Sequence, residues 1–116
     1  MQFGHLELFV SNVAKSKQFY QEVLGFEITA AQSENLVWLQ NGSIEILLRQ
    51  GQPAQLSQKY EHAPSGIVLY TTNLAETKAL LESRQLEFKG TVDSEKCLTF
   101  TDPDGNWFQL VNPHDH

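Results

Sequence analysis

The sequence predicts an α+β fold built from two tandem βαβββ modules, and three observations carry that prediction. Gly4-His5-Leu6-Glu7-Leu8-Phe9-Val10-Ser11-Asn12-Val13-Ala14 is echoed by Ser65-Gly66-Ile67-Val68-Leu69-Tyr70-Thr71-Thr72-Asn73-Leu74-Ala75, an offset of 61 residues from Asn12 to Asn73. After each Asn an amphipathic segment follows at helical spacing. After each of those come three short apolar-polar stretches of strand length. One helix does not cover one such sheet, so the halves are expected to assemble around a shared surface. The expected form is a curved, cup-shaped mixed sheet with the helices on its outer face.

The first module occupies about residues 1–50. A strand from about Phe3 to Val10 meets Asn12, a good N-cap. A helix then runs from Val13 to Leu24, with Val13, Ser16, Tyr20, Val23 and Leu24 on one face and Gly25 placed to end it. Three strands follow at about Phe26–Ala30, Leu36–Gln40 and Ser43–Arg49, the last two joined by the hairpin signal Asn41-Gly42. Residues 51–64 are polar, Gln-rich and aperiodic, and read as a linker. The second module, about 65–113, repeats the plan. Strand Gly66–Thr72 leads to cap Asn73 and helix Leu74–Gln85, then strands lie near Glu87–Val92, Lys96–Thr101 and Asn106–Val111. Asp102-Pro103-Asp104-Gly105 turns the last hairpin.

Length and composition fit this plan. With 116 residues, 41% hydrophobic and 19% charged, the chain reads as a single ordinary globular domain, 1–116. A net charge of −6 argues against nucleic-acid or anionic-membrane partners, which need clustered Lys and Arg. The lone Cys97 rules out an internal disulfide and suits a reducing compartment. No apolar leader or membrane-length run stands in the sequence, so a cytoplasmic location is expected.

Period-two alternation sorts the strand side chains into two faces. Leu6, Leu8, Val10, Ile44, Ile46, Leu48, Phe108 and Leu110 form an aliphatic face suited to packing under helices. The other face collects His5, Glu7, Glu45, Arg49 and Gln109 with the aromatics Phe9, Trp38, Tyr70 and Trp107. Apolar walls with a few convergent polar groups describe a small-molecule pocket; the bland alternative is a half-solvated sheet with cross-strand aromatic pairs.

The duplicated βαβββ plan resembles the vicinal oxygen chelate superfamily, which includes glyoxalase I, extradiol dioxygenases, and fosfomycin- and bleomycin-resistance proteins. The resemblance rests on His5-Leu6-Glu7-Leu8-Phe9-Val10-Ser11-Asn12, on Phe19-Tyr20-Gln21-Glu22-Val23-Leu24-Gly25-Phe26, and on Phe100-Thr101-Asp102-Pro103-Asp104-Gly105-Asn106-Trp107-Phe108-Gln109-Leu110. It spans essentially the whole chain and implies a homodimer. It also implies that metal ligands, where the family uses them, fall at His5, Glu45, Gly66 and Gln109.

Two of those four positions depart from the family pattern. Gly66 has no side chain, and Gln109 replaces a Glu. A ring-cleaving iron site needs two His and a carboxylate, of which only His5 remains among the positions it uses. Two readings stay open. In one the protein is a small-molecule binder of the bleomycin-resistance type, with no metal. Phe9, Trp38, Tyr70 and Trp107 would stack on a flat or cationic ligand, Glu7 and Glu45 would face its positive groups, and Arg49 joins the ligand-binding set. In the other it is a glyoxalase-like lyase or isomerase with a divalent ion (Ni, Zn, Mn or Fe) on His5, Glu45 and Gln109, with Glu45 as candidate base. His62 invites comparison as a replacement ligand, but reads as an exposed loop residue. The chelate-like pair His114 and His116 sits in a terminal tail. Cys97 reads as buried filler.

Overall fold

A computed structural model describes residues 1–54 and 57–115 of the chain. It divides into two compact units, Met1–Ala54 and Gln55–His116. Each is a four-stranded mixed sheet with one helix, so the fold is α+β and the βαβββ plan appears twice.

In the first unit, β1 (Leu6–Val10), β2 (Glu27–Ser33), β3 (Leu36–Asn41) and β4 (Ile44–Gln50) form a sheet in the order β1-β4-β3-β2. β1 runs parallel to β4, with Leu6 opposite Ile46 and Phe9 opposite Arg49. The other pairs are antiparallel, and β2 carries two register shifts along β3. Helix α1 (Val13–Gln18) starts at Asn12, whose side chain accepts from the Lys15 N–H at 3.0 Å. The helix does not continue regularly to Leu24 as expected. Phe19–Val23 widens into a π-turn, with the Leu24 N–H donating to the Phe19 carbonyl. Fully buried Tyr20 meets Phe26 at 5.6 Å. Leu8, Val10, Val37, Leu39, Ile46 and Leu48 are buried with Val13 and Ser16, so α1 covers the aliphatic face.

The second unit repeats the topology. β5 (Ile67–Tyr70), β6 (Thr91–Val92), β7 (Ser94–Thr101) and β8 (Trp107–Val111) are ordered β5-β8-β7-β6, with β5 parallel to β8. Helix α2 (Leu74–Ser83) is capped by Asn73, which accepts from the Glu76 N–H at 3.0 Å. The backbone angles of the two caps, φ −142 and −144, nearly coincide. The core stacks Phe100 on Phe108 at 5.1 Å and buries Leu81, Leu86 and Leu110. The strand expected at Glu87–Val92 shrinks to two residues. Gly90 (φ 111) and Asp93 (φ 63) turn the backbone away from a regular ladder on either side of it.

The Asp102-Pro103-Asp104-Gly105 turn is fastened from within. Buried Asp102 accepts from the backbone N–H groups of Asp104 and Asn106 and, through Oδ2, from the Asn106 amide at 2.7 Å. Gly105 sits at φ 88, where other residues are strained. This motif, prominent in the sequence, therefore aims β8 and the residues it carries. Of the stretch expected to link the modules, Tyr60–His62 forms a 3₁₀ turn, and both Ser57 and Tyr60 are bonded to β8.

Candidate functional site

The polar and aromatic face of the first sheet can be built row by row from the strand register. Phe9, Arg49 and Leu36 form one row, Glu7, Leu47 and Trp38 the next, and Glu45 pairs with Gln40 beyond them. His5 stands just before β1 on the same face. Period-two alternation thus brings His5, Glu7, Phe9, Trp38, Glu45 and Arg49 to one surface, as expected.

An ion-pair chain orders the centre of this surface. Arg49 Nε donates to Glu7 Oε1 at 2.7 Å, and His5 Nε2 lies 3.0 Å from Glu7 Oε2. The Arg49 hydrogen bond, followed by that of His5, holds the Glu7 carboxyl below the ordinary Glu range. The His5 ring stands edge-on to Trp38, with centroids 4.7 Å apart. Each Glu7 oxygen thus already takes one hydrogen bond within the first sheet, which turns the carboxylate toward Arg49 and His5. Glu45 is exposed on β4.

The second sheet is different. Gln109 on β8 pairs with Val68 and Thr99 and is only 6% exposed. Its Nε2 donates to the Tyr60 hydroxyl at 3.1 Å, while Oε1 is buried without a hydrogen-bond partner among the described residues. The Tyr60 ring lies directly over Gly66: a Cβ added there would stand 2.8 Å from Tyr60 Cζ, well inside contact distance. Tyr60 also meets Trp107 edge-on at 6.1 Å. Trp107, expected as a stacking wall, is 4% exposed and donates its indole N–H to the Ser57 carbonyl at 2.8 Å. Its surface is thus covered by the segment leading into β5. Tyr70, by contrast, is largely exposed on β5.

Tyr60 lies in the aperiodic stretch 51–64, where no periodicity marks it. The signal that could have found it is the glycine itself: a missing side chain on a strand leaves a hole, and packed interiors fill holes. His62, considered as a replacement at Gly66, is exposed on the 3₁₀ turn, and the residue that reaches Gly66 is Tyr60. His114 is exposed, and His116 lies outside the described residues. Cys97 is buried, with its sulfur 3.6 Å from the Ser94 hydroxyl.

The sequence profile described as "Glyoxalase/Bleomycin resistance protein/Dioxygenase superfamily" matches residues 2–110. The chain belongs to that superfamily, the vicinal oxygen chelate proteins. Solved structures share the fold. FosX, a fosfomycin resistance protein of Listeria monocytogenes solved with Mn(II) and sulfate, superposes with a TM-score of 0.77 at 18% identity, over 96% of this chain and 89% of that one. Lactoylglutathione lyase from Agrobacterium tumefaciens gives 0.72 at 17% identity, over 97% and 93%. An integron cassette protein from the mobile metagenome of the Halifax Harbour sewage outfall gives 0.69 at 25% identity, over 94% and 97%. No functionally curated protein matches the sequence.

The residues present do not fit the metal that the family resemblance implies. Gly66 offers no donor and is overlain by a phenol. Gln109 offers a neutral amide in place of a carboxylate and donates to that phenol. His5 Nε2 is engaged by Glu7. Among the described residues no three His, Cys, Asp or Glu side chains come together as a metal-holding group. No helix among them is long and apolar enough to cross a membrane.

Proposed function

We propose that the protein binds a small molecule without a catalytic metal ion, on the polar and aromatic face of its first sheet. The observation that carries this reading is the seating of Tyr60 over Gly66 with its hydroxyl on Gln109. In this reading the phenol and the neutral amide occupy the two second-module positions, 66 and 109, at which the family resemblance implies metal ligands. The first sheet keeps what a binding surface requires: ordered polar groups at Glu7, Arg49 and His5, beside the part-buried ring of Trp38 and the exposed ring of Phe9. The lone Cys97 and the family resemblance support a cytoplasmic homodimer as the working form.

The lyase or isomerase reading draws on one observation: His5 and Glu45 stand on the same face of adjacent strands. It requires His5 to leave Glu7, and it has no second strong donor set to offer. The test is ligand binding in the presence of a chelator. Tryptophan fluorescence, titrated with small aromatic acids, amides and amines in EDTA, is expected to change saturably with at least one class. Binding or turnover that appears only when Mn²⁺, Ni²⁺ or Zn²⁺ is supplied would overturn the proposal.

A further inference from the structure

The way Glu7 holds Arg49 has a consequence for what the surface recognises. A carboxylate that simply neutralises an arginine takes it as a two-toothed fork, each oxygen on a separate N–H. Here Glu7 uses one oxygen on the guanidinium, at Nε, and its second oxygen is taken by His5. The Nε proton is the only one of the five guanidinium donors with an acceptor among the described residues. The two Nη groups therefore keep their parallel donors, on a side chain that is 41% exposed.

The fork is also held in place. Its Nε is tied to Glu7, Glu7 to His5, and the His5 ring rests against Trp38. The Arg49 backbone is fixed in β4, with Phe9 beside it in the register and Leu36 on the other side. An oxyanion needs such a rigid, planar pair of donors, and a flat apolar body needs the adjacent ring and aliphatic surface. A cation meets less here, because the Glu7 carboxylate is already turned to Arg49 and His5; Glu45 stands in a separate row on the same face.

We infer that the ligand is a small flat acid, its carboxylate or phosphonate gripped by the Nη pair of Arg49 and its ring laid toward Trp38 and Phe9. This rests on the metal-free binding proposed above and adds the ligand's charge and the residue that reads it. Glu7 and His5 act as positioning residues for the fork.

The experiment uses the intact chain at low ionic strength in EDTA, with tryptophan fluorescence followed against benzoate, phenylphosphonate, benzamide and benzylammonium. The acids are expected to bind more tightly than the neutral amide and the amine. Arg49→Gln is expected to weaken them by about tenfold or more, the size of a lost charge-assisted hydrogen bond. Arg49→Lys retains the charge and the alkyl stem but loses the fork, so a several-fold loss is expected from it even if the glutamine variant folds poorly. Preferential binding of benzylammonium, or acid affinity unchanged in both Arg49 variants, would overturn the inference while leaving metal-free binding standing. Ring compounds that bind only when Mn²⁺ is added would overturn both.

Discussion

Tyr60 and Gly66 compete for one space: the phenol lies where any side chain at position 66 would begin. The ring sits six residues upstream, at the start of a 3₁₀ turn, and is anchored by Gln109 and packed against Trp107. Gly66→Ala therefore forces the ring to swing out and give up those contacts. A loss of about 1–3 kcal/mol is expected, the usual range for overpacking. With Tyr60→Ala already in place the same change should cost far less, so urea unfolding of the two single variants and the double variant should show strong coupling. Additive losses would mean the ring does not occupy that space.

Gln109 carries the second expectation. Among the described residues its buried Oε1 has no partner, an arrangement that costs part of what the Nε2 bond contributes. Gln109→Met removes the orphaned acceptor but also takes a hydrogen bond from the part-buried Tyr60 hydroxyl, and the two effects are expected to offset to within about 1–2 kcal/mol. Gln109→Glu restores the family's carboxylate but places it in a buried site, where burial disfavours the charged form. A loss that grows as the pH rises through the carboxyl's raised pKa is expected. Denaturant midpoints measured across pH decide both.

Glu7 gives a pH dependence of the opposite sign. Arg49 first, then His5, hold its carboxyl below the ordinary Glu range. Its folded pKa thus lies below its unfolded one, so its contribution is present above the ordinary range and fades as pH falls through the depressed folded value. Glu7→Gln should be less stable than the wild type at neutral pH and should converge with it under strongly acidic conditions. A constant difference at all pH values would argue that the ion-pair chain does not form.

The duplicated caps make a fourth test. Asn12 and Asn73 hold the same backbone angles and the same bond to the third residue onward. Asn12→Ala and Asn73→Ala are each expected to cost about 1 kcal/mol. A negligible effect at one site only would mean the two helix starts are not equivalent in solution.

Much of this organisation was legible in the sequence because it is periodic. Alternation on β1, β3 and β4 placed His5, Glu7, Phe9, Trp38 and Arg49 on one face, and the 61-residue repeat placed both caps. The π-turn at Phe19–Val23 was not legible, since one extra residue at the end of a helix barely disturbs a 3.6-residue pattern. Nor was the short β6: of the strand expected near Glu87–Val92, positive φ at Gly90 and Asp93 leaves only Thr91–Val92. The pairing of Glu7 with Arg49 spans 42 positions and depends on the register of a parallel strand pair. Tyr60 lies in an aperiodic stretch, and only the hole at Gly66 hints at it. Periodicity reveals faces, whereas contacts between distant segments need the register.

Metal-free binding requires that positions 66 and 109, a glycine under the Tyr60 ring and a neutral amide, hold no metal ion. Elemental analysis of untagged protein, purified without added metal and dialysed, tests it most directly. Mn, Fe, Ni and Zn far below one per chain are expected, with no change in the His5→Ala variant. One tightly held ion per chain in the wild type, lost in His5→Ala, would contradict it.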